Sequence, residues 1–505
     1  MSERFDAIVV GTGAAGLSTA LSAARAMPNF RIAVISKGVF GLDGTSCWAQ
    51  GGIAAALSNA DSPMQHAIDT VNAGGKACNK AAARWMAESA PEAAQWLSQL
   101  GVNWDRSAQG VMLARGSAHS TARLLHSGGD ATGAEIMRVL RDALAELSNV
   151  QVFEFSEVDR LLKMLGRVVG VQLRNNQGQT HELYAQQVVL ATGGIGQLYR
   201  HTTNPFDADG SGIFLAHSAG AELADMEFMQ FHPTALASRI EQDAQLPLIS
   251  EALRGYGARL VNERGVRFMA TIHELAELAP SDVVARAVFN QMEQGHEVFL
   301  DARTLGDNIR AYFPTVFAAC KTRNFDPRVD LIPVVPAAHY LMGGIRVDLH
   351  AMSTLPGLYA VGEAACTGLH GGNRLSGNGL MEAIAFGRTL GERIARQPLS
   401  NSNLKDDGSV PGRRIAPAPV SESLVYNRLK NLMWGFVGIV RSESGLQSAL
   451  EQIHLLERRC LSGSKALNQI ALARIMIEAA LRRKQSMGAH AMDNTVKRGF
   501  GSAVA

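Results

Sequence analysis

The sequence predicts an α/β protein: a Rossmann-like dinucleotide-binding domain, interrupted by an inserted α+β domain and followed by a C-terminal helical domain. Three observations carry this. Residues 5–10, FDAIVV, are an apolar, β-rich run leading into GTGAAG, an alanine-rich helical stretch and a second apolar run, Arg31–Ile35. The segment Gly357–Gly362 (GLYAVG) is another buried-strand pattern, and it returns only after a stretch of different texture. Leucines and alanines recur at helical spacing over 421–488, beyond a polar Ser/Pro/Gly linker at 399–420.

The bulk numbers fit that architecture. With 505 residues, 47% hydrophobic and 19% charged, the chain is too long for one core, so two or three domains are expected. A net charge of +2 gives no basis for nucleic acid or an acidic membrane surface. The N-terminus shows no basic stretch followed by an apolar segment, and no apolar run approaches the ~18–20 residues that span a bilayer. Five scattered cysteines without a CxxC pair fit reduced thiols in a cytoplasm and argue against a metal or iron–sulfur site. Fifty glycines against sixteen prolines suggest many close backbone approaches, as around a large cofactor.

Along the chain, the first strand, glycine turn, helix and second strand make one βαβ unit. A hydrophilic helical region covers roughly 62–100. Residues 150–190 read as short strands (VQVFEF, RVVGVQL, HELYA, QQVVLATGG). Charged helices (Asp282–Gln294), a strand (Val298–Asp301) and proline breaks then mark the insertion. The expected division is 1–230 for the first part of the dinucleotide domain, 231–340 for the insertion, 341–400 for the return segment and 415–505 for the helical domain.

GTGAAG (Gly11, Thr12, Gly13, Ala14, Ala15, Gly16) is G-x-G-x-x-G in the right context on both sides. Gly11 permits the sharp turn, Gly13 admits a pyrophosphate, Gly16 lets helix and strand pack, and the helix N-terminus offers free N–H groups. A glycine-rich structural turn is the alternative. The acid that usually holds a ribose about twenty residues on is replaced by Ser36 and Lys37, which argues against NAD in the common mode. From the glycines alone the cofactor is NAD or FAD.

At this point the chain resembles a family. GTGAAGLSTAL, ISKG, AQGGIAAAL at Ala49–Leu57, DATG at Asp130–Gly133, VLATGGIGQLY, EFMQFHPTAL, EALRGYGA, VPAAHYLMGGIRVD, LYAVGEAACTGLHGGNRLSGNGL, MWGFVGIVR and RRKQSMGAHAMD run in order along nearly the whole chain. Together they are similar to the succinate dehydrogenase/fumarate reductase flavoproteins, and most to members that oxidise L-aspartate. The resemblance implies FAD contacts from Gly11–Gly16, Ser36, Lys37, the Thr45–Gly52 loop (Thr45, Ser46, Gln50, Gly51, Gly52), Glu363, Asn378, Gly379 and Leu380. Glu363 has the chemistry to accept from ribityl hydroxyls; helix capping is the alternative. Membrane-bound relatives carry a flavin-linked histidine before the AQGG block. Thr45 stands there and cannot form that bond, so the implied FAD is non-covalent. The insertion is the implied capping, substrate-side domain.

The implied reaction takes a hydride from a dicarboxylate C–H, which requires cations and donors to fix two carboxylates. Arg374, in GGNRLSGN, sits among small residues that let a guanidinium hold a carboxylate bidentately. His232 (QFHPT) and His339 (AAHY) stand in apolar surroundings, where a lone histidine is more often a satisfied core residue; as two histidines in matched motifs they are expected to contact substrate. Ser250, Glu251 and Arg254 share one turn, so Glu251 and Arg254 are expected to relay a proton; a surface ion pair, about 0.3–0.5 kcal/mol, is the bland reading. Ser250 and His119 are expected to touch substrate.

Departures from the family pattern also appear. Ser281 stands where the proton-transfer arginine is expected, Gly116 where a glutamate receives the substrate ammonium, Ser211 within a GDG motif and Met487 in an S-R-G-x-H stretch. These positions touch the amine pocket, proton transfer and the flavin shell. They bear on catalytic efficiency with aspartate. The resemblance along the whole chain implies oxidation of L-aspartate to iminoaspartate, with oxygen or fumarate as acceptor, at the entry to quinolinate and NAD synthesis. The alternatives are a soluble fumarate reductase-like dicarboxylate oxidoreductase, or an impaired flavoprotein retained as a binding partner, with quinolinate synthase as candidate.

Overall fold

The computed structural model describes residues 2–237, 245–397, 404–410, 422–460, 464–493 and 495. Its centre is a five-stranded parallel sheet in the order Leu358–Ala360, Gln187–Leu190, Ala7–Val10, Ile32–Ile35, Val150–Phe153. The inner strands are buried at every position, which is why they read as unbroken apolar runs instead of alternating ones. The returning strand, Leu358–Ala360, completes the sheet beside Gln187–Leu190 although the whole insertion lies between them in sequence.

Beside this lies a smaller sheet, Ser2–Arg4, Thr180–Tyr184, Arg167–Asn175 and Ser156–Met164. The last strand was not expected. VQVFEF does not run on as one strand: it stops at Phe153, and Phe155 turns the chain with φ +49°. The register shifts of Ser156–Met164 between Val158 and Arg160 and between Leu162 and Lys163 break the period of two that marks a strand in sequence. The 62–100 region divides into helices Pro63–Gly74 and Lys80–Leu100, capped by the Ser62 and Asn79 side chains.

The insertion builds an antiparallel sheet of Met229–Leu236, Ile332–Leu341, Val298–Asp301 and Arg259–Asn262, covered by helix Ser281–Glu293 around its own apolar core. The boundaries expected at 230/231 and 340/341 fall inside the paired strands Met229–Leu236 and Ile332–Leu341, along which the chain enters and leaves. The C-terminal region contributes helices Glu422–Val437, Glu443–Arg459 and Lys465–Arg482. Most of the expected 399–420 linker, and 415–421 and 496–505 of the expected C-terminal domain, lie outside the described residues. Fully buried Arg441 ties that domain down: its Nη1 donates to Glu227 O at 2.7 Å and its Nε to Gly438 O at 3.0 Å.

Helix Ala14–Ala26 packs lengthwise on helix Asn378–Arg396, backbone against backbone. A Cβ on Gly387 would lie 2.6 Å from Ala15 O, and one on Gly391 2.3 Å from Thr19 O. Neither position has room for a methyl group. Gly391→Ala is expected to cost about 1–3 kcal/mol of stability and to weaken FAD retention by spreading the two helices, read by thermal unfolding and by FAD titration of the apoprotein. A variant as stable as the parent would show that the helices separate at no cost.

Candidate active site

The N-termini of those two helices open on one cavity of roughly 580 Å³, and it runs from the glycine loop to Arg374. Gly11 has φ +107°, and a Cβ there would lie 2.2 Å from Ala191 O, so the turn needs glycine. Ala14 N, at the start of the helix, is held by Ser46 Oγ at 3.1 Å. Thr12, Gly13, Ala14, Ala15, Ser36, Lys37, Thr45, Ser46, Gln50, Gly51, Gly52, Glu363, Gly379 and Leu380 all line the wall with Gly11. Lys37 is salt-bridged to Asp209 at 2.7 Å.

Two residues expected at the cofactor lie behind the wall instead. Gly16 is a packing residue: a Cβ there would be 2.0 Å from Gly11 O. Asn378 turns its amide into the protein, where Oδ1 meets His66 Nε2 at 2.8 Å and Nδ2 donates to Thr70 Oγ1 at 2.9 Å. Only its helix faces the cavity, through Gly379 and Leu380.

The wall fits a large polar cofactor. Gln50 Oε1, Thr192 Oγ1, Asn204 Oδ1 and Asp207 Oδ1 are buried without a protein partner, and each residue lines the cavity. Glu363 accepts from Leu341 N at 2.9 Å, and a Cβ on Gly194 would strike its Oε1 at 2.0 Å. Burial pushes the Glu363 carboxyl up to about 7, partly offset by the Leu341 hydrogen bond and the Arg374 charge.

At the other end the cationic and donor groups converge. Arg374 lies over the Tyr340 ring with its guanidinium carbon 4.5 Å from the centroid, and its Nε donates to Gln230 Oε1 at 3.2 Å. Gln230 is fixed in turn by donating to Asn373 Oδ1 and Arg374 O, both at 2.9 Å. The terminal nitrogens of Arg374 are left for a carboxylate. His232 and His339 stand edge to face with centroids 5.2 Å apart. Backbone groups of Thr234 occupy His232 Nδ1, and Thr203 Oγ1 occupies His339 Nδ1 at 2.8 Å. Burial holds both rings neutral: His232 well below its ordinary value, with His339 and Arg254 adding to the effect, and His339 down to about 3, with Arg374 adding.

Ser250 and Glu251 line the same cavity. Arg254 is fully buried behind them, donating Nη1 to Glu277 O at 2.7 Å and standing 3.8 Å from Glu251, so the pair is no surface ion pair. His119 does not reach the wall. Its Nε2 meets Ser376 O at 3.0 Å and its Nδ1 meets Arg123 Nη1 at 3.1 Å, inside a buried cluster where Arg123 also binds Asp61 and Asp69. Of the departures, Ser211 is on the wall, whereas Gly116, Ser281 and Met487 are not. Arg286, the arginine that follows Ser281 on its helix, does not line the cavity either and is bonded to Gly488 O and Asp282, each at 2.8 Å.

Reasoning from motifs missed the supports. Gln230 lies two residues before His232 on one strand, the same-face spacing that could have found it. Thr203, which orients His339, carried no signal. Thr315, Ala318, Ala319 and Thr322 share one face of helix Pro314–Thr322 and form a wall from the insertion.

The Glu363 carboxyl makes apoprotein stability pH-dependent with a definite sign. Its folded value is raised, so the carboxyl is protonated at no cost below about 4.5. Its contribution turns unfavourable as pH rises toward about 7. Glu363→Gln apoprotein is therefore expected to gain on the parent between pH 5 and 8, by on the order of 2–3 kcal/mol, in thermal unfolding across pH. A gap that does not change with pH would mean that burial does not shift this carboxyl.

Residues 6–380 match the FAD binding domain family, and residues 426–499 match the fumarate reductase flavoprotein C-terminal family. The chain is 39% identical to an L-aspartate oxidase of Streptomyces coelicolor, over 96% of this chain and 88% of that protein. It is 42% identical to an L-aspartate oxidase of Mesorhizobium japonicum, over 96% and 90%. A variant of E. coli quinol fumarate reductase superposes with a TM-score of 0.89 at 29% identity, over 97% of this chain and 91% of that one. With a continuous cavity running from the glycine loop to Arg374, these matches are decisive: the chain belongs to the flavoprotein family of succinate dehydrogenase, fumarate reductase and L-aspartate oxidase.

Proposed function

We propose that this chain oxidises L-aspartate to iminoaspartate with non-covalent FAD. The observation that carries the reading is the single cavity in which the glycine loop and the Arg374, His232 and His339 group face each other. The chemistry supplied by bound FAD is acceptance of two electrons and their return to oxygen, giving peroxide, or to fumarate. Residues Gly11–Ala15, Ser36, Lys37, Thr45–Gly52, Glu363, Gly379 and Leu380 are the groups that would hold it. Thr45 has no imidazole nitrogen to form the histidyl bond to a flavin carbon.

The chain's own residues bind and orient. Arg374, stacked on Tyr340 and braced by Gln230, clamps one carboxylate bidentately. The neutral rings of His232 and His339, with Ser250, act as hydrogen-bonding groups for the second, with no charge to hold water in the site. Helix Pro314–Thr322 closes the far side and limits solvent. Substrate is thereby fixed with its Cα hydrogen toward the cofactor end. Supply of iminoaspartate to quinolinate formation, direct contact with quinolinate synthase and a cytoplasmic setting belong to the same proposal. Buried Cys78, Cys320 and Cys366, none of them in a disulfide, support a reducing compartment.

Two outcomes are expected. L-Aspartate should yield peroxide at a rate well above that with succinate. Arg374→Leu should lose roughly 100-fold or more in kcat/KM while its FAD content stays that of the parent. Fumarate turnover without aspartate oxidation would place the chain with the dicarboxylate reductases. Bound FAD with no turnover of either would leave a binding role.

A further inference from the structure

We infer that Glu251 is the receptor for the substrate's α-ammonium and sets the preference for an amino dicarboxylate over a plain one. This rests on the aspartate reading above and names the residue that would select its amine.

Cations and neutral donors account for the carboxylates of such a substrate, but a third, positive group needs an acceptor. Five carboxylates line the cavity: Asp43, Glu157, Asp207, Glu251 and Glu363. Lys37 lies within electrostatic reach of Asp207 and Glu157, and Asp43 acts on Asp207, so these three belong to the glycine-loop end. Glu363 already takes the Leu341 N–H, and its burial favours the neutral acid. Glu251 is the remaining one, on the segment beside the histidine strand. The segment bearing it pairs with the histidine strand, Ile249 N donating to Thr234 O at 3.0 Å and Thr234 Oγ1 to Ile249 O at 2.8 Å.

The side chain is also unsatisfied. Glu251 is nine-tenths buried, and its Oε1 has no hydrogen-bond partner. Arg254 does not satisfy it: its Nη1 donates to Glu277 O, and its unpartnered Nη2 comes no nearer than 3.8 Å, to Oε2 and not to Oε1, beyond hydrogen-bond distance. A buried carboxylate oxygen left without a donor is costly, and an ammonium is the donor that would remove that cost. Gly116 stands behind this carboxylate and off the cavity wall: a Cβ there would lie 3.4 Å from Glu251 Oε1, an ordinary contact, and 2.7 Å from Leu124 Cδ1. With glycine at 116, Glu251 is the acidic side chain at that corner. Held there, the ammonium can also pass a proton to Glu251 as the imine forms.

The test uses the FAD-loaded protein and two ligands that share a shape and differ in the amine: 2-methyl-L-aspartate, which has no Cα hydrogen to lose, and methylsuccinate. Binding is read from the change in the flavin absorbance spectrum. The parent is expected to prefer the amine ligand. Glu251→Gln should reduce that preference by about 30-fold or more, with methylsuccinate affinity changed less than about 3-fold, and Glu251→Asp should restore part of it. Equal weakening of both ligands, or an unchanged preference, would overturn the assignment. If Glu251→Gln does not retain FAD, Glu251→Asp alone decides: an unaltered preference with the shortened carboxylate overturns it, and a reduced one upholds it. A parent that oxidises L-aspartate while the variants keep their preference sinks this inference alone. A parent that neither oxidises L-aspartate nor favours the amine sinks the functional reading itself.

Discussion

The close contact between helices Ala14–Ala26 and Asn378–Arg396 is the constraint on which the site depends. One helix begins at the glycine loop and the other at the loop carrying Arg374, so their packing sets the distance between the glycine loop and the Arg374 guanidinium. That contact is made by backbone atoms, through Gly387 on Ala15 O and Gly391 on Thr19 O. Backbone has little freedom to adjust, and this makes the geometry rigid where a side-chain interface would yield. A reaction that places a C–H bond against a cofactor needs that rigidity, because small misplacements are expensive.

Around this frame, burial does most of the electrostatic tuning. His232 and His339 are neutral because their surroundings cannot solvate a charge, and Arg374 keeps its place through the Tyr340 face and Gln230. A second layer holds the loop from behind. Arg123 binds Asp61 and Asp69 in a fully enclosed cluster, and His119 carries that support to Ser376 O, two residues from Arg374. Charges buried this way stabilise little on balance, but they specify one arrangement, since breaking any pair strands a charge.

Much of this was legible in the residues. The βαβ unit, the returning strand at Leu358–Ala360, the insertion and the C-terminal helices each leave a local pattern: an unbroken apolar run, a glycine turn or a helical repeat. Strand Ser156–Met164 was illegible because its register shifts erase the alternation. Arg374, His232, His339, Ser250 and Glu251 could be named because they sit in motifs, and the cavity does bring them together. His119 and Asn378 sit in equally good motifs and face the other way, since a motif records neighbours along the chain and not the direction of a side chain.

By itself, then, the sequence determined the fold class, the dinucleotide loop and the set of polar residues able to meet a dicarboxylate, because each depends on local geometry and spacing. Tertiary structure alone decided which of them share a wall. It placed Gln230 and Tyr340 under Arg374, set Thr203 behind His339, turned His119 and Asn378 inward, and left Glu251 on the cavity wall with one carboxylate oxygen unpartnered. The physical reason is burial. Whether a side chain is desolvated, neutral, paired or free depends on segments hundreds of residues away, and no local pattern contains that information.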